Sequence, residues 1–123
     1  MVARADSERF TVAVRAVDGA VVLEVAGELD HDTVRPLRDA LDAAVAPGGR
    51  VLVDLARLGF CDSTGLNVLL HSRLAAREAG GSLELAGLRG PVARMFHITG
   101  ADGLFPVHAD VADALGEVGG PSR

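Results

Sequence analysis

The chain has 123 residues, about the size of one domain, with 49% hydrophobic and 24% charged residues and a net charge of -5. All twelve basic residues are Arg, and Trp and Tyr are absent. An acidic chain with so few aromatics has neither the basic field nor the stacking platforms of a nucleic-acid binder, so nucleic acid is excluded as a partner.

Cys61 is the single cysteine, which excludes an internal disulfide and fits a reducing compartment. The opening "MVARADSERF" carries no apolar signal core, and no apolar run approaches the roughly twenty residues of a membrane span. A cytoplasmic protein without a membrane partner is expected.

Residues 1–9 are polar and read as a flexible N-terminus. "FTVAVRAV", from Phe10 to Val17, alternates as a half-buried strand does. Asp18-Gly19 is a turn signal, and "AVVLEVAGEL" follows as the second arm of a hairpin. Val34, Leu37, Leu41 and Val45 then repeat at helical spacing. Asp32 or Thr33 caps that helix, Pro36 is tolerated in its first turn, and Pro47-Gly48-Gly49 ends it. Val51 to Val53 is a short apolar strand of the kind covered on both faces.

A second helix is predicted from Ser63 to about Ala79. Its buried stripe is Leu66, Leu69, Leu70 and Leu74, with Asn67, Arg73, Arg77 and Glu78 off it. Ser82 to Gly87 reads as a strand, Gly90 to Thr99 as a short helix, and "LFPVH" as a last strand whose Pro106 marks an edge. "DVADALGEV" reads as a final helix. Strands alternating with helices predict an α/β domain with a mainly parallel sheet, made mixed by the hairpin. No repeat or linker divides the chain. The expectation is a single domain over 10–116, with a tail at 117–123.

The stretch that carries chemistry is "GFCDSTGLNVLL", Gly59 to Leu70. Asp62-Ser63-Thr64 lies between an apolar strand and an apolar helix, and three readings compete. The first is a helix cap, since the first N–H groups of a helix need acceptors. A cap does not require Gly65, which costs about 0.5–1 kcal/mol in a helix relative to Ala and points to a close approach. The second is a nucleophile on a strand-to-helix elbow. Cys61 replaces the glycine such an elbow needs, and nothing singles out a partner among His71, His97 and His108. The third is a phosphoacceptor: a Ser at a helix start is accessible, and the helix N-terminus tolerates the added charge.

"GELDHDT", then "VLVDLARLGFCDSTGLNVLL", then "GGSLELAGLRGPVARMFHITGADGLFPV" together resemble the bacterial anti-sigma factor antagonists of the STAS superfamily, over about residues 10 to 116. The resemblance implies a STAS-like α/β domain with a mixed four- to five-stranded sheet flanked by helices. It implies a non-enzymatic partner switch, in which the chain binds an anti-sigma factor that is also a serine kinase of the histidine-kinase-like ATPase type and so releases a sigma factor. Phosphorylation at Ser63 ends the binding, and a metal-dependent serine phosphatase restores it. Asp62 then orients Ser63 or contacts the kinase, and Glu28, Asp30 and His31 form part of the docking face. Thr64, Gly65 and Asn67 complete the partner-binding set. Cys61 and Asn67 depart from the Met and Gly common at these places, which bears on the identity of the partner. The alternative is a non-catalytic STAS scaffold or regulatory subunit of a stress-sensing or transporter complex.

Asp30-His31-Asp32 reads as a solvated capping loop, since three neighbours in a loop rarely converge on one ion. No metal site and no cofactor are expected. Cys61 reads as a small buried hydrophobe. His97 and His108 read as surface or packing residues, and Met95 and Phe96 as core.

Overall fold

The computed structural model describes residues 2–6 and 9–116, with side chains from residue 9 onward. β1 (Val2–Asp6) runs antiparallel to β2 (Phe10–Val17), with Val2 opposite Arg15 and Asp6 opposite Thr11. Within the N-terminus read as flexible over residues 1–9, Val2–Asp6 forms this edge strand. The polar composition concealed the strand, because an edge strand can be ordered by backbone bonds to one neighbour without a continuous apolar pattern. The tail expected at 117–123 lies outside the described residues.

Asp18 and Gly19 reverse the chain with φ of 48° and 82°, the two-residue hairpin turn that an Asp-Gly pair favours. β3 (Ala20–Leu29) pairs antiparallel with β2, and β4 (Arg50–Cys61) pairs parallel with β3. The helix between them, α1 (Val34–Val45), buries Val34, Leu37, Leu41 and Val45 as their spacing predicts, and Ala44 beside them. Its exit needs a glycine: Gly48 has φ +86°, and a Cβ there would lie 2.2 Å from the Ala79 carbonyl oxygen.

β4 is much longer than the Val51–Val53 core legible in the sequence. Glu24 pairs with Asp54 but Ala26 with Arg57, and Gly27 pairs with Leu58 but Glu28 with Phe60. Each interruption places one extra residue in β4, the signature of a bulge. Two bulges reset the in–out alternation, so residues 54–61 show no period of two.

α2 (Ser63–Glu78) follows, then β5 (Ser82–Ala86), α3 (Gly90–Ile98), a 3₁₀ turn at Ala101–Gly103, β6 (Val107–His108) and α4 (Val111–Ala114). β5 and β6 continue the sheet in parallel, giving the order β1-β2-β3-β4-β5-β6. This is the mixed sheet flanked by helices that was expected, with one strand more at the front. α2 buries Gly65, Leu66, Val68, Leu69, Ser72 and Ala76. Leu74, expected in that stripe, is 49% exposed. The small side chains of Ser72 and Ala76 form the buried stripe in the second half of the helix and leave Leu74 outside.

Val51 and Val53 join the core shared by α1, α2 and α3, while Leu52 packs with Val22, Ala86 and Ala114 on the α4 side. The run is therefore covered on both faces, as its composition predicts. The α4 side also carries a polar clasp. Glu84 accepts from Arg50 Nη2 at 2.9 Å and Ser82 Oγ at 2.9 Å, with His108 Nε2 at 2.9 Å. Arg50 Nη2 also donates to the Ala114 carbonyl at 2.7 Å, tying α4 to the sheet. Among the described residues, no helix is long and apolar enough to cross a membrane.

Candidate functional site

In an α/β sheet, ligands and partners meet the loops beyond the carboxyl ends of the parallel strands. β3 and β4 end side by side, Leu29 opposite Cys61, and the Asp62 N–H donates to the Leu29 carbonyl at 3.1 Å. The Gly-Glu-Leu-Asp stretch and the Asp-Ser-Thr-Gly stretch, 32 residues apart from Asp30 to Asp62 in sequence, thus leave the sheet together.

Asp62 is the N-cap of α2, and its Oδ1 accepts from Thr64 N at 2.9 Å and Gly65 N at 3.1 Å. Two of the unpaired N–H groups of the first turn are thereby satisfied. Ser63 is the first helical residue, exposed, and its hydroxyl bonds to no described residue; Thr64 is half-buried. Asn67 is exposed one turn further on, at the spacing that stacks it beside Ser63. Gly65 is buried, and a Cβ there would lie 2.7 Å from Leu29 Cδ2 and 3.0 Å from Cys61 Sγ. The close approach anticipated at this glycine is to Leu29 at the end of β3.

The second loop lacks the side-chain capping bond expected of Asp32 or Thr33. Thr33 precedes α1 but makes no side-chain capping bond, and Asp32 is exposed. Asp30 closes the turn before the helix: its Oδ1 accepts from Asp32 N at 2.9 Å and Thr33 N at 3.2 Å. The buried Thr33 hydroxyl faces inward, donating to the Glu28 carbonyl at 2.8 Å and accepting from Asp30 N at 2.9 Å. His31 is exposed and stands 3.4 Å from Asp32, apart from these bonds.

Sequence reasoning missed two residues here. The first is Arg9, in the segment read as flexible. Its Nη1 donates to Glu28 at 2.8 Å and to Asp30 Oδ2 at 2.9 Å, and its Nη2 to Asp30 Oδ1 at 3.4 Å. These hydrogen bonds hold the Asp30 carboxyl down to about 2, against the opposing effect of burial and with help from the Asp32 N–H. Asp30 therefore stays ionised, and the Arg9 cation offsets one of the negative charges of the loop. The second is Phe60. Phe10, Phe96 and Phe105 are buried, but Phe60 is 48% exposed, placed outward opposite Glu28 by the second bulge. Only its position just before Cys61-Asp62 could have marked it.

Cys61 is buried, and burial, with the Asp62 charge beside it, pushes its thiol up to about 12. It behaves as the small hydrophobe expected. Of the histidines, His97 Nδ1 pairs with Asp102 at 3.1 Å and His108 with Glu84, and neither bonds to Ser63. Among the described residues, no three His, Cys, Asp or Glu side chains are grouped to hold a metal ion.

A family model described as "Mlab, STAS domain" matches residues 12–106. The anti-sigma-F factor antagonist RsfB of Mycobacterium tuberculosis is 33% identical over 116 residues, covering 92% of this chain and 93% of that protein. The anti-sigma-B factor antagonist of Bacillus subtilis is 30% identical over 100 residues, covering 81% of this chain and 92% of that protein. Among solved structures, an anti-sigma factor antagonist from Mycobacterium paratuberculosis superposes with a TM-score of 0.77 at 33% identity, over 89% of this chain and 93% of that chain.

Proposed function

This chain belongs to the STAS domain family, and on that premise we propose that it is an anti-sigma factor antagonist switched off by phosphorylation of Ser63. The names of the relatives, antagonists of anti-sigma-F and anti-sigma-B factors, support the first half. One observation carries the second: Ser63 stands exposed and unbonded at the start of α2 while Asp62 is engaged in capping.

The unmodified chain binds an anti-sigma factor that is also a serine kinase, and the sigma factor is freed. The kinase transfers the γ-phosphoryl group of ATP to Ser63 Oγ; ADP leaves, and the hydroxyl proton passes to a base of the kinase. The phosphate adds a charge of about -1.5 to -2 at a helix N-terminus, where the macrodipole favours it. The fold survives, so the effect falls on the partner, whose contacts around Glu28, Asp32, Phe60 and Asn67 now meet bulk and like charge. Loss of 1.4 kcal/mol is already tenfold in affinity. A serine phosphatase reverses the modification. Thr64, half-buried, is the poorer acceptor.

Intact-protein mass spectrometry of the chain from its native cells, wild type beside Ser63→Ala, tests this. A phosphate-sized increment lost in the variant is expected. No increment under any growth condition would sink the switch and favour a scaffold role.

A further inference from the structure

We infer that Arg9 is a positioning residue for docking at the Ser63 site, its guanidinium holding Glu28 and Asp30 in the arrangement that the partner kinase recognises. The inference rests on the phosphoacceptor reading of Ser63.

Arg9 grips the loop from both ends. Its carbonyl accepts the Glu28 N–H at 2.9 Å, and its guanidinium spans the Glu28 and Asp30 carboxylates and lies 3.9 Å from Asp32. Gly27 makes the approach possible, because a Cβ there would lie 2.1 Å from the Arg9 carbonyl oxygen. Asp30 in turn closes the turn that leads into α1 and follows Leu29, whose carbonyl holds Asp62. What fixes Asp30 fixes the edge of the Asp62-Ser63 step.

The chemistry of the bonds separates this role from general stability. Arg9 and Glu28 keep 42% and 54% of their side chains exposed, while Asp30 keeps 16%; because the guanidinium itself stays open to water and salt, its pairs contribute little to folding. Their effect is local. Without the cation, Glu28, Asp30 and Asp32 repel one another, and the loop presents both a different shape and a more negative field to an approaching partner. A planar guanidinium bridges two carboxylates in fixed geometry; an ammonium keeps the charge with a looser geometry.

The test is thiophosphorylation of purified full-length chain by an extract of the native cells. Wild type, Arg9→Ala and Arg9→Lys are added over a range of concentrations with ATPγS, and thiophosphate on Ser63 is counted by intact mass. Arg9→Ala is expected to raise the half-saturating chain concentration about tenfold with the plateau rate unchanged and the melting temperature within a few degrees of wild type. Arg9→Lys is expected to recover most of the loss. An unchanged half-saturating concentration in Arg9→Ala overturns the assignment, as does a fall confined to the plateau rate or a defect that Arg9→Lys does not relieve. Absence of thiophosphate on wild type overturns the phosphoacceptor reading itself, and is distinguished because it appears before any Arg9 variant is compared.

Discussion

Leu29 at the end of β3 and Gly65 in the first turn of α2 are packed so closely that no methyl group fits between them: a Cβ on Gly65 would lie 2.7 Å from both Leu29 Cγ and Cδ2. Leu29 is fully buried. The contact locks the end of β3 and the start of α2 together through their apolar side, with Ser63 and Asn67 on the outer side.

Gly65→Ala therefore sets two effects against each other. Helix propensity gains about 0.5–1 kcal/mol, while forcing a methyl into a packed core costs about 1–3 kcal/mol. The steric term wins, and urea denaturation is expected to show a net loss of about 1 kcal/mol or more. A more stable variant would mean that Leu29 yields.

Removing the cap is a separate experiment. Asp62→Ala leaves the Thr64 and Gly65 N–H groups without their acceptor and is expected to cost about 0.5–2 kcal/mol. Asp62→Asn retains an acceptor oxygen and should lose only a few tenths. Thermal melts of both variants decide it; equal losses would assign the effect to charge at the helix N-terminus and not to the hydrogen bonds.

The thiol of Cys61 is held at about 12 by burial and the neighbouring Asp62 charge, so almost no thiolate exists at pH 8. Alkylation by iodoacetamide, followed by mass, is expected to be slow in the native chain and fast in denaturant. Rapid native modification would show that the floor of the site opens readily.

Glu84 supplies a pH dependence of known sign. Burial pushes its carboxyl up, but the hydrogen bonds from Arg50, His108 and Ser82 outweigh this and hold it below its ordinary value of 4.5. Its folded form thus titrates below its unfolded form. The stabilisation is whole at neutral pH and is lost as pH falls through the folded value. Glu84→Gln is expected to cost on the order of 1–3 kcal/mol at pH 7, with the gap from wild type closing in melts taken toward pH 3. A gap independent of pH would assign the loss to packing.

The legible parts of this protein are those whose cause lies within a few residues. Asp18-Gly19 predicts its turn because only certain residues adopt two successive positive φ angles. Val34, Leu37, Leu41 and Val45 predict a helix because their spacing builds one face, and Asp62-Ser63-Thr64 at the head of an apolar run offers a cap among other readings. Those signals, in order, also determine an α/β chain with Ser63 at a helix start. The rest required neighbours that sequence spacing does not reveal. Two bulges carry β4 to the site and place Phe60 outward, and they exist because β3 and β4 must stay paired while their residue counts differ. Leu74 faces outward because the small Ser72 and Ala76 lie in the buried stripe of α2. Arg9 is indistinguishable from any surface arginine until β2 and β3 pair and bring it over Glu28 and Asp30, 19 and 21 residues away. Local backbone preference wrote the elements and set Ser63 at a helix start; long-range pairing of the strands decided what surrounds it.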